Sequence, residues 1–103
     1  MGTNRRYADR IDEQMNARVV DAVARGRQPE TLTPLELQLS EQPMTRPPRA
    51  IPVRVWVRYA GIAIEVDAEA VAWTPRATAI RWRTTAGDVQ QAWVWSSAVS
   101  PRE

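Results

Sequence analysis

The chain has 103 residues, with 14 basic against 12 acidic side chains and a formal net charge of +2. That length allows one compact domain, or a small domain with an arm, and leaves no room for a multidomain enzyme within these residues. Cys and His are both absent, which removes disulfides, thiolate chemistry and Ser–His pairs, and no apolar run approaches the roughly 20 residues of a membrane-spanning helix.

All 14 basic residues are Arg, and neither Lys nor Phe occurs. Lys and Phe have AT-rich codons and most Arg codons are GC-rich, so the bias reads as that of a GC-rich genome rather than as selection for guanidinium chemistry. The isoelectric point near 9.9 has a related cause. Without His, nothing titrates between the carboxylates and the high-pKa groups. The start, Met1 to Arg6, runs into a charged segment with no apolar h-region, so the expected location is cytoplasmic.

From about Arg5 to Arg25 the spacing predicts an amphipathic helix. Tyr7, Ile11, Met15, Val19 and Val23 recur every four residues and build a slanting apolar stripe. Thr3 or Asn4 can cap its start, and Gly26 suits the position just past its end. A second, short helix is expected over about Pro34–Glu41, because Thr33, Pro34 and Glu36 form a capping box with proline at the first helical position. Residues 42–52 then hold four of the eight prolines and read as an extended, semi-rigid connection. The expected organisation is a helical arm over 1–41, a Pro-rich linker over 42–52 and a small β module over 53–100.

In the β module the hydrophobic period changes to two. Val53–Tyr59 alternates strictly, Ala60-Gly61 suits a two-residue turn, and Ile62–Val66 alternates again. A third strand is expected over Glu69–Trp73, with 67–72 as a helical turn in the alternative reading. Strands over Ala77–Thr84 and Val89–Trp95 follow. Five short antiparallel strands in about 45 residues make a small barrel or a curved meander, since closure removes exposed edges. The fold class is therefore α+β.

Register can be tested from residue type. With Ala60-Gly61 as the turn, Val55 faces Val66, Val57 faces Ile64 and Tyr59 faces Ile62, giving one continuous apolar face. The reverse face pairs Trp56 with Glu65 and sets Arg54 against Asp67. In the second hairpin, pairing Thr84 with Val89 puts Trp82, Trp93 and Trp95 on one core face with Ile80, and Arg81 and Arg83 behind it beside Ala92 and Gln90. A G1-type bulge at Gly87 would shift that register.

The ending, Trp93-Val94-Trp95-Ser96-Ser97-Ala98-Val99, resembles the last strands of SH3-like barrels, where a strand, a 3₁₀ turn and a short strand follow one another. That likeness implies an SH3-like five-stranded barrel in the C-terminal half. The whole chain, with its start Asn4-Arg5-Arg6-Tyr7-Ala8-Asp9-Arg10 and its Trp93-Val94-Trp95 end, is similar to small proteins encoded by actinobacteria and their phages. This implies a source and no activity.

Candidate sites follow from what is missing as much as from what is present. Without His, Cys or Lys, the usual bases, nucleophiles and Schiff-base residues are gone, and the four glycines are isolated, so no phosphate-cradling loop exists. No catalytic residue, metal ligand or cofactor is assigned. Glu65, Asp67 and Glu69 would share a strand face and have the oxygens for a hard cation, but Arg54 across from them makes a solvated ion-paired face the simpler reading. The first functional reading is a non-catalytic protein-interaction module, acting by self-association or on another protein. Its contact residues would be Tyr7, Ile11, Met15 and Val19 of the helix stripe with Trp56, since an isolated helix of that length needs tertiary packing. The alternative is a nucleic-acid-binding small barrel using Arg54, Arg58, Arg81 and Arg83 beside aromatic side chains.

Overall fold

The computed structural model of the chain describes residues 28–84 and 86–102. The helix expected over 5–25, with Tyr7, Ile11, Met15 and Val19, lies outside them. The described residues form a five-stranded antiparallel sheet. Its strands are β1 (Ile51–Tyr59), β2 (Ile62–Trp73), β3 (Ala77–Arg83), β4 (Val89–Trp95) and β5 (Val99–Pro101), in the spatial order β4-β3-β2-β1-β5. One α-helical turn, α1 (Pro34–Leu37), precedes the sheet, and a 3₁₀ turn (Ser96–Ala98) joins β4 to β5.

The capping box at α1 is complete. Thr33 Oγ1 accepts from the Glu36 N–H at 3.2 Å, and the Glu36 carboxylate accepts from the Thr33 N–H at 3.0 Å. The helix ends at Leu37 and does not continue to Glu41 as expected. Gln38 adopts the left-handed conformation (φ 49°, ψ 47°) and donates its N–H back to the Pro34 carbonyl, which stops the turn. Beyond it, Thr45 and Trp73 exchange two backbone hydrogen bonds, and β1 begins at Ile51, two residues before the expected start.

The first hairpin has the register that side-chain alternation requires. Tyr59 faces Ile62, Val57 faces Ile64, Val55 faces Val66, Trp56 faces Glu65 and Arg54 faces Asp67. Ala60 and Gly61 both have positive φ, 50° and 83°, the signature of the type I′ turn whose twist suits a two-residue hairpin loop. The strands expected over 62–66 and 69–73 are one continuous β2, and 67–72 is not a helical turn. The period of two runs on through Val66, Ala68 and Ala70, all buried, while Glu65, Asp67 and Glu69 stay on the other face. The fifth strand is instead Val99–Pro101, which pairs with β1 through Val53–Val55.

The second hairpin departs from expectation by one residue. Arg83 faces Val89, Trp82 faces Gln90, Ile80 faces Ala92, Ala79 faces Trp93 and Ala77 faces Trp95. The cause is the loop. Gly87, at φ 92°, donates to the Thr84 carbonyl while the Thr84 N–H donates to the Asp88 carbonyl, so the loop closes with the glycine-dependent bulge that moves β4 along by one. A shift of one residue exchanges the faces. Trp82 remains in the core, but Trp93 and Trp95 turn to the outside.

β4 and β5 stand at opposite edges of the strand order, which in a flat sheet would be about 19 Å apart. Only Ser96–Ala98 separates them, and such a turn reaches no more than about 14 Å even when extended. The sheet therefore curls towards closure. The core inside the curl is Val53, Val55, Val57 and Tyr59 from β1, Ile64, Val66, Ala68 and Ala70 from β2, Ile80 and Trp82 from β3, and Ala92 from β4. Tyr59 and Trp82 meet edge to face, with ring centroids 6.5 Å apart and planes at 85°. Ala68, Ala70 and Ala92 belong to the same core cluster as these two rings.

Residues 30–32 bridge the two sides of the curl. The Glu30 N–H donates to the Arg58 carbonyl of β1 at 2.8 Å and the Leu32 N–H to the Trp93 carbonyl of β4 at 2.9 Å. The Trp93 N–H in turn donates to Thr31 Oγ1 at 2.8 Å.

Candidate functional site

Three facts of chain geometry place aromatic side chains together on the outside. Alternation along β1 points Trp56 and Arg58 away from the core. The bulge at Gly87 does the same for Trp93 and Trp95 on β4. The curl of the sheet then sets these two strands on either side of residues 30–32, which hydrogen-bond to both. Between them lies an open groove of about 310 Å³, lined by Trp56, Arg58, Trp93, Val94, Trp95 and Ala98 from the sheet and by Glu30, Thr31, Leu32 and Glu36 from the segment before it.

Trp56 is 51% exposed and Trp95 41% exposed, an unusual state for the largest apolar side chain. Among the described residues the aromatic rings in mutual contact are Tyr59 and Trp82, in the core. Among the described residues the groove tryptophans thus do not stack on one another. The charged groups are held in place. A Glu30 carboxylate oxygen accepts from the Gly61 N–H at 2.6 Å, Glu36 is fixed by the capping box, and Arg58 Nη1 donates to the Gly61 carbonyl at 3.3 Å. With one guanidinium against two carboxylates, the groove carries a net charge of −1. It offers aromatic area and polar groups of fixed direction.

Elsewhere the outer face is ion-paired. Arg54 lies 3.1 Å from Glu65 and 3.8 Å from Asp67. Arg81 lies 3.3 Å from Glu69, and Arg102 lies 3.4 Å from Asp67. Among the described residues no group of His, Cys, Asp and Glu is arranged to hold a metal ion. The three carboxylates of β2 instead answer arginines on β1, β3 and the C-terminal segment. The expectation that Arg81 faces only Ala92 and Gln90 is corrected here. Its β4 neighbour is Gln91, and on its other side the β2 pairing sets it opposite Glu69. Arg83 faces Val89 at the end of the hairpin. Of the four arginines named from the sequence, Arg58 alone lines the groove.

Of the sequence-named contact residues, Trp56 is in the groove, while Tyr7, Ile11, Met15 and Val19 lie outside the described residues. Trp93, Trp95, Leu32, Glu30 and Glu36 were not named from the sequence as contact residues; Trp93 and Trp95 were expected in the core and Glu36 in the capping box. The signal for the two tryptophans was Gly87 in its five-residue loop. No local signal marks residues 30–36 as a wall of the groove. Comparison with known proteins finds no matching family, no similar curated protein and no similar solved structure.

Proposed function

We propose that the chain is a non-catalytic protein-interaction module that binds another polypeptide through the Trp56–Trp93–Trp95 groove, with the N-terminal stripe of Tyr7, Ile11, Met15 and Val19 as its second contact surface. The observation that carries this reading is the convergence of three outward tryptophans on one open groove. Large aromatic surfaces with polar groups fixed around them are the usual anchors of protein–protein contacts. The strand, 3₁₀ turn and short strand at Trp93–Val99, and the pairing of β5 with β1, support an SH3-like barrel as the scaffold. The absence of His, Cys and Lys supports the non-catalytic part of the reading.

The test is capture by the immobilised full chain from extracts of its own cell, with bound proteins identified by mass spectrometry and titrated after purification. Trp56→Ala with Trp95→Ala removes two anchors without touching the core and is expected to weaken binding by at least about 2 kcal/mol, roughly 30-fold in Kd. Arg81→Ala with Arg83→Ala is expected to leave it unchanged.

The nucleic-acid reading rests on Arg54 and Arg58 flanking the exposed Trp56. It is the weaker of the two, because Arg54 and Arg81 are engaged by carboxylates and two further carboxylates line the groove, leaving few guanidiniums for phosphate. Salt-sensitive oligonucleotide binding that Arg81→Ala and Arg83→Ala abolish, with no protein captured, would replace the first reading by this one.

A further inference from the structure

The Pro-rich stretch before β1 is held in the open. Residues 43–49 form neither helix nor strand, and among them Thr45 alone exchanges backbone hydrogen bonds with the sheet, at Trp73. Pro43, Met44, Arg46, Pro48 and Arg49 are exposed. Three of these seven residues are proline, whose fixed φ leaves the stretch little conformational freedom to lose on binding. It carries Arg46 and Arg49 and no acid, a net of +2, and neither guanidinium takes part in an ion pair among the described residues.

The Trp56–Trp93–Trp95 groove is its complement. Proline rings pack well on flat aromatic faces, which is how aromatic-lined grooves hold extended Pro-rich segments, and Trp56 and Trp95 are both exposed. The groove carries −1, and neither Glu30 nor Glu36 is ion-paired among the described residues. Within one copy the two surfaces do not meet. No residue of 43–49 lines the groove, and the Thr45–Trp73 hydrogen bonds tie the stretch to the end of β2. A second copy is therefore the nearest source of a segment that fits in both shape and charge.

We infer that residues 43–49 of one copy dock in the Trp56–Trp93–Trp95 groove of a second copy, prolines against the indoles and the arginines towards Glu30 and Glu36. Resting on the interaction reading given above, this names the bound polypeptide as the chain itself. The contact joins two different surfaces, so each copy offers one groove and one segment, and assembly continues into rings or open chains. A seven-residue segment buries well below the roughly 1,200 Å² of a stable interface, so the association is weak and depends on concentration.

The test is sedimentation equilibrium of the full chain at concentrations from micromolar to millimolar. The weight-average mass of the unmodified chain is expected to rise with concentration above the 11.7 kDa of one copy. Trp56→Ala with Trp95→Ala spoils the groove, and Arg46→Glu with Arg49→Glu spoils the segment. Each variant alone is expected to stay monomeric, with the near-ultraviolet circular dichroism of the Tyr59–Trp82 core retained. Mixed together, the two variants should associate again and stop at two chains, because the mixture pairs one intact segment with one intact groove. An unmodified chain that stays monomeric throughout overturns the inference. Association that persists in the arginine variant alone does the same, and so does a mixture that stays monomeric. A foreign protein held by the groove while the unmodified chain stays monomeric separates the two readings: docking between copies then fails and the interaction reading stands. Association that persists in the tryptophan variant, with no foreign protein captured, overturns both.

Discussion

At Tyr59 the core encloses a hydroxyl that gains nothing from being there. The Tyr59 hydroxyl and the Trp82 indole nitrogen are both shut off from solvent without a well-aligned hydrogen-bond partner. Burial pushes the Tyr59 pKa above its ordinary 10.0, and the neighbouring Trp82 N–H offsets part of that rise. The folded state therefore holds this proton more tightly than the unfolded chain does. Its contribution to stability is complete below the unfolded pKa and is lost as pH rises through the folded one, so stability should decline above about pH 10. Tyr59→Phe removes the stranded hydroxyl and is expected to raise stability by about 1 kcal/mol at neutral pH and to flatten the alkaline decline. Urea denaturation at neutral and alkaline pH reads both effects. At this scale the sequence was legible where alternation was strict: Trp56 between Arg54 and Arg58 had to face outward once Val53, Val55 and Val57 faced in. It was not legible at Trp93 and Trp95, because Trp-Val-Trp is apolar on both faces and its direction depends on the loop before it.

The elements show where local chemistry decides and where it does not. The Ala60-Gly61 turn follows from residue type and length, and so does the nine-pair register behind it. Ala60 is held at positive φ, which costs a residue with a Cβ about 1 kcal/mol or more. Asn tolerates that conformation, so Ala60→Asn is expected to stabilise the protein by about 0.5–1 kcal/mol, measured by chemical denaturation. Gly87 at φ 92° is the opposite case. Gly87→Ala finds no atom within 4 Å of the added methyl group, so its expected loss of about 1 kcal/mol or more is backbone strain alone. The continuity of β2 was hidden by its composition. Asp67, Ala68, Glu69 and Ala70 suggest a break or a helical turn, but the alanines are buried in the core, and the acids are held outside by Arg54, Arg102 and Arg81. Those partners come from three different segments, and local propensity does not register them.

Across the whole molecule, the long-range contacts of residues 30–32 decide how the curled sheet is completed. The Trp93 N–H to Thr31 bond joins residues 62 apart in the chain, and the Gly61 N–H to Glu30 bond joins residues 31 apart. No periodicity or capping signal in residues 28–32 announces either one, which is why the groove's second wall could not be read from the sequence although its first aromatic could. Thr31→Ala deletes the acceptor of the Trp93 amide. It is expected to lower stability by about 1 kcal/mol and to speed hydrogen exchange at Trp93, with little change at Ile80 or Val55 in the centre of the sheet.

The placement of residues 30–32 also orders events during synthesis. They are synthesised about sixty residues before Trp93, so at a translation rate of about 5–20 residues per second they wait several seconds for their partner. During that interval β1 and β2 can pair, since their contacts are nearest in sequence, while the backbone of residues 30–32 has no finished sheet to join. A nascent chain arrested before Trp93 should therefore display residues 30–32 to chaperones, and one released after Pro101 should not.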